Sequence, residues 1–112
     1  MSHRDSVRLG HMLDHAREAV AMAAGKTRAD LDLDRKLNLA LVRLLEIVGE
    51  AAGKTTEDDR LKCPGIPWGQ IIGLRNRLIH GYDSVDFDVL WQIISVDLPG
   101  LVSDLERCLD KT

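Results

Sequence analysis

Apolar residues recur along the chain at steps of three and four, and no stretch alternates as a half-buried strand does, so the pattern predicts helices throughout. Glycine and proline divide it into four pieces. The first, about Arg4 to Ala24, carries Leu9, Met12, Leu13, Ala16, Val20 and Ala23, and Gly25 is placed to cap its C-terminus. The second runs from about Asp30 or Asp32 to Ala52. Its stripe is Leu37, Leu41, Leu44 and Val48, and Leu45, Ile47 and Ala52 widen it, so more than one face needs cover. In so short a chain a second protomer would supply that cover.

The third piece opens at Pro64-Gly65-Ile66-Pro67, with Pro67 suited to a first helical position, and is read as helical to about His80 or Tyr82. Gly69 and Gly73 lie four apart on it, a cost that makes sense if another backbone approaches closely. The fourth piece starts from Asp86 as N-cap and carries Phe87, Leu90, Trp91, Ile94, Leu98, Leu101, Leu105 and Cys108. Pro99-Gly100 is expected to kink or interrupt it. Lys54 to Lys62 reads as a polar, charged loop. Four helices on short connections predict an all-α, antiparallel four-helix bundle, one domain over residues 1–112, paired as a homodimer.

The 112 residues and 12.5 kDa leave no room for a second core of ordinary size. No uncharged stretch is long enough to cross a bilayer and no secretory h-region follows Met1, so a cytoplasmic protein without membrane contact is expected. Cys63 and Cys108, 45 positions apart and without a C-x-x-C pair, read as reduced thiols. His11 and His15 share a helix face, but no third ligand accompanies them, so no metal or cofactor is expected. Trp68 and Trp91 continue apolar stripes and read as core rather than base-stacking residues. Glu46 and Glu50, one turn apart, suggest that one of them pairs with an arginine.

Charge changes the picture. The net charge of −3 hides a segment from Arg60 to Tyr82 with no acidic residue, where Arg60, Lys62, Arg75 and Arg77 supply +4 and leave −7 on the other 89 residues. Within it, Arg75-Asn76-Arg77-Leu78-Ile79-His80-Gly81-Tyr82 gathers two guanidiniums, an amide, an imidazole and a phenol. On a continuous helix Asn76 and His80 would share a side, as would Arg75 and Tyr82, while Arg75 and His80 would converge only on something as large as a phosphate. That set suits metal-free cleavage of RNA. His80 acts as general base on the ribose 2′-hydroxyl, Arg75 steadies the phosphoryl oxygens, and a second His80 in a dimer protonates the leaving oxygen. Asn76 orients the imidazole, and Arg77 either binds RNA phosphate or forms a surface ion pair.

Arg75-x4-His80-x-Tyr82 resembles the R-x4-H-x-Y motif of the HepT toxin family within the HEPN superfamily. Met12-Leu13-Asp14-His15-Ala16-Arg17-Glu18-Ala19, Leu45 to Ala52, Ile66 to Leu74 and Asp97-Leu98-Pro99 extend the likeness over most of the chain. The resemblance implies a homodimeric, metal-independent endoribonuclease toxin with Arg75 and His80 catalytic. It also implies a nucleotidyltransferase antitoxin as partner, with Tyr82 as acceptor of AMP. The alternative is a non-catalytic HEPN module that binds a nucleotide or partners such an enzyme.

Overall fold

The computed structural model describes residues 3–79, 81 and 84–110, the side chains of residues 3 and 5 excepted. It is all-α, with no strand among the described residues. Three long helical rods, α1 (His3–Ala23), α3 (Arg35–Gly53) and the run from Phe87 to Asp110, enclose one apolar core, and a fourth, broken rod packs across α3. Arg8 of α1 donates to the carbonyl of Lys54 at 2.6 Å, and Arg17 meets Glu106 at 3.0 Å. Early α1 against late α3 makes that pair antiparallel, and past Arg17 the residues Val20 and Ala21 share a pocket with Pro99 and Val102, earlier in the last rod than Glu106, so α1 runs antiparallel to that rod too, as the bundle reading expects.

The apolar stripes are buried as their spacing implies. Leu9, Met12, Ala16 and Ala19 of α1 face Leu37, Leu41, Leu44, Leu45, Val48 and Ala52 of α3, all buried. Gly25 takes a left-handed backbone, φ +76°, just past α1, where a side chain would be strained. The second predicted helix starts in two parts, since Asp34 separates the single turn α2 (Asp30–Leu33) from α3. Asp34 has left helical geometry and its carboxylate accepts from the N–H of Leu37 at 3.0 Å, an N-cap that begins α3 afresh. Buried Asn38 ties the two parts by donating to the carbonyl of Leu31 at 2.9 Å.

The stretch read as a loop from Lys54 to Lys62 contains a short helix, α4 (Glu57–Leu61), capped by Thr56, which accepts from the N–H of Asp59 at 3.2 Å. Three acidic residues in its first turn suit the positive end of its dipole. Cys63 and Cys108 are not separate thiols; they form a disulfide, with Cα atoms 5.7 Å apart, that ties the approach to the fourth rod to the end of the last helix. Partners 45 positions apart meet only through tertiary packing, which the spacing of the two cysteines does not reveal.

The last rod is α7 (Phe87–Gln92), a π turn (Ile93–Asp97) and α8 (Leu98–Asp110) without a break. Asp86 caps it as predicted, accepting from Asp88 and Val89. The irregularity expected at Pro99 lies one turn earlier. Pro99 brings no N–H and crowds the carbonyl four residues before it, and the widened turn, in which Leu98 N–H reaches back to Ile93, relieves that conflict.

The broken rod is α5 (Trp68–Ile72) and α6 (Leu74–Leu78), divided at Gly73. The close backbone approach anticipated at Gly69 is found instead at Gly49 of α3. A Cβ on Gly49 would lie 3.1 Å from the carbonyl oxygen of Ile71, whereas one on Gly69 would meet nothing within 4 Å. We therefore expect Gly49→Val to destabilise the fold by about 1–3 kcal/mol and Gly69→Ala to stabilise it by about 0.5–1 kcal/mol in urea unfolding.

Candidate active site

Arg75 stands on α6 with its side chain 70% exposed, and its Nε lies 3.2 Å from Oε2 of Glu46, which is only 21% exposed on α3. The carboxylate thus holds the guanidinium at its inner nitrogen, and the terminal nitrogens can still serve an incoming anion. The pair sits in a cleft of about 410 Å³ between α3 and the segments that flank residues 80 to 83. Arg35, Asn38 and Val42, at helical spacing with Glu46, form the α3 wall, and Ile79, Ser84 and Val85 complete the other side.

Helix α6 ends sooner than the sequence reading expects. Ile79 is extended (φ −105°, ψ 118°) and bridges antiparallel to Val85, while Asp86 N–H donates to the carbonyl of Leu78 at 2.9 Å. Two β-branched residues paired in this way outcompete another helical turn, and Gly81 adopts φ +110°, which a side chain would resist. The helical spacing invoked to align Asn76 with His80, and Arg75 with Tyr82, therefore does not extend beyond Leu78. His80 and Tyr82 themselves lie outside the described residues. Their neighbours Ile79, Ser84 and Val85 border the cleft that Arg75 enters.

The other residues of the motif separate. Asn76 is exposed on α6. Arg77 points away from Arg75 and forms an ion pair with Asp97 of the π turn at 3.5 Å, both about one third exposed. Of the two readings offered for Arg77, this is the ion pair. The rest of the basic segment is similarly engaged. Arg60 donates to the carbonyls of Ala52 and Gly53 at 3.0 and 3.1 Å and to Thr55 Oγ1 at 3.0 Å, closing the C-terminus of α3. Its guanidinium also lies 5.9 Å from the ring of Trp68, whose indole N–H donates to the carbonyls of Arg60 and Cys63. Trp68 is a structural residue, as expected. Lys62 meets Asp59 at 3.2 Å. Both glutamates weighed for pairing have arginine partners, Glu46 as above and Glu50 with Arg43 at 3.5 Å.

Sequence reasoning missed Arg35 as a cleft residue. The signal was its position three turns before Glu46 on one side of α3. Among the described residues no three His, Cys, Asp or Glu side chains gather as metal ligands, and no helix is long and apolar enough to cross a membrane.

The family model described as HepT-like, ribonuclease HepT-like, matches residues 12–108. The chain belongs to this family. It is 34% identical over 107 residues to "Putative RNase MJ1380" of Methanocaldococcus jannaschii, which spans 95% of this chain and 98% of that protein. It is also 34% identical over 110 residues to "Probable ribonuclease HepT" of Thermococcus cleftensis, spanning 95% and 94%. "Putative RNase TTE0752" of Caldanaerobacter subterraneus subsp. tengcongensis is 33% identical over 103 residues, 92% of each chain. No solved structure matches the HepT-like chain at a significant level.

The arginines of this HepT-like chain therefore divide by role. Arg60→Ala is expected to cost about 2 kcal/mol of stability, because carbonyls at the end of α3 lose their donors. Arg75→Ala, which removes the exposed partner of Glu46, should cost under about 1 kcal/mol; equal losses in denaturant titrations would contradict the division.

Proposed function

We propose that the chain is a metal-independent endoribonuclease acting through Arg75 and His80, and that it works as the toxin of a toxin–antitoxin pair. The observation that carries the reading is the exposed Arg75, held at its base by Glu46, in an open cleft bordered by the residues on either side of His80 and Tyr82. The chemistry needs no metal because the substrate brings its nucleophile. His80 removes the proton of a ribose 2′-hydroxyl, and the oxygen attacks the adjacent phosphorus. Arg75 stabilises the charge that gathers on the phosphoryl oxygens. The bond to the 5′-oxygen breaks, leaving a 2′,3′-cyclic phosphate, and a second copy's His80 in a homodimer gives the leaving oxygen its proton. Asn76, exposed beside Arg75 on α6, is the polar neighbour of the site, and Arg77 is the ion-pair partner of Asp97 rather than a phosphate ligand.

In this reading a nucleotidyltransferase antitoxin silences the enzyme by moving AMP from ATP to the Tyr82 hydroxyl, with release of pyrophosphate. The added phosphate charge and nucleoside occupy the region an RNA phosphate needs. A second reading, a non-catalytic module that binds a nucleotide or partner enzyme, draws support from the engagement of all four cations of the basic segment.

Incubation of the partner-free protein with RNA in excess EDTA tests the first reading. His80→Ala should lower the cleavage rate about 10²–10⁴-fold and Arg75→Ala about 10²–10³-fold, and DNA should survive. If wild type and His80→Ala behave alike, catalysis by this site is wrong. Partner binding that survives both substitutions, without RNase activity in the free protein, selects the second reading. For the modification, wild type should gain the mass of AMP from the cognate enzyme with ATP and Mg²⁺, and Tyr82→Phe should not.

A further inference from the structure

The cations of the segment from 60 to 82 are neutralised or capped, but two on another side of α3, Arg4 and Lys54, are in no ion pair among the described residues. There, the first half of α1 and the C-terminal end of α3 enclose a cleft of about 550 Å³. Arg4, Arg8, His11 and His15 line it from α1, and Lys54 lines it from the end of α3. Arg4 and Lys54 are exposed and form no ion pair among the described residues. Among the described residues the carboxylate lining the cleft is Glu50, which Arg43 engages at 3.5 Å. Arg8 is fastened across the cleft by its bond to the Lys54 carbonyl. His15 Nδ1 donates to the carbonyl of His11 at 2.6 Å, which fixes that ring and leaves Nε2 for another partner.

Arg8 can be understood as closing the end of α3, where carbonyls lack donors. That role does not account for Arg4, a turn earlier on α1, for Lys54, or for two imidazoles on the same stripe. Residues 4, 8, 11 and 15 span about 16 Å of helix, long enough to meet more than one phosphate of a strand. The α3 residues of this cleft lie roughly 100° around that helix from those that line the Arg75 cleft. Arg4, Arg8 and His11 also precede the span matched by the family model.

We propose that the α1–α3 cleft is a second RNA site, binding backbone phosphate through Arg4, Arg8, His11 and Lys54 without taking part in the chemistry. The inference rests on the ribonuclease reading for the identity of its ligand. A strand cut beside Arg75 continues around α3 into this cleft, which adds affinity that depends on charge and not on base sequence.

The test is binding of a 2′-O-methylated RNA oligonucleotide, which lacks the free nucleophile, to the full chain across a salt series. Arg4→Ala/Lys54→Ala should weaken binding about tenfold at low salt and flatten the dependence of log K on log salt by about 1–2. Lys26→Ala/Arg107→Ala, an equal charge change away from the cleft, should do neither, and Arg4→Lys/Lys54→Arg should restore both. The cleft assignment is overturned if the first pair matches the control, or if it keeps its RNA affinity and loses only a protein partner. Should that pair match wild type while wild type still cleaves RNA, the cleft alone fails. Absence of both RNA binding and cleavage in wild type removes the ribonuclease reading along with it.

Discussion

The site depends on a side chain that is not there. Because Gly49 presents only hydrogen to α5, the carbonyl of Ile71 can rest on α3 at a distance that a Cβ would make tight. Three residues earlier on α3 stands Glu46, and four residues later on the crossing rod stands Arg75. The two contacts are thus successive turns of one antiparallel crossing, and the backbone approach sets the height at which the guanidinium meets its carboxylate. Burial of Ile71, Leu74 and Leu78 beside Leu45 and Val48 supplies the attraction; Gly49 fixes the register.

That crossing also explains how an ion pair of little intrinsic worth can still matter. An exposed arginine beside a carboxylate adds little to stability, because water competes for both charges. Its value is geometric. Glu46 is mostly buried and so has few rotamers, and a long side chain tethered to it loses much of its freedom before any phosphate arrives. The entropy of ordering Arg75 is partly spent in folding rather than in binding.

Much of this was legible in the chain. The stripes Leu37-Leu41-Leu44-Val48 and Leu90-Ile94-Leu98-Leu101-Leu105 are periodic enough to reveal helices and core, and Gly25 and Asp86 mark ends through local rules. Local rules fail where a tertiary contact decides. The helix stops at Leu78 because Ile79 finds Val85, and the π turn arises because Pro99 must fit a rod whose ends are both packed. Charge was the most misleading signal. A segment devoid of acid looked like a free basic surface, yet Glu46, Asp59 and Asp97 arrive from outside it to meet three of its four cations, and backbone carbonyls hold the fourth. Unpaired charge must be counted in three dimensions.

The π turn carries a consequence for how this chain tolerates change in length. A widened turn is equivalent to one residue added to an ordinary helix, so α7 and α8 are out of phase by about 100° relative to an uninterrupted α-helix. Leu90 before the turn, Ile93 and Ile94 within it, and Leu101, Leu105 and Cys108 after it all face inward. Loss of a single codon between Ile93 and Asp97 would yield a more regular helix and a poorer protein. The flanks would keep their orientation and Cys108 its reach to Cys63, but Pro99 would again crowd the carbonyl four residues before it, so the irregular turn is what accommodates a proline inside the C-terminal rod.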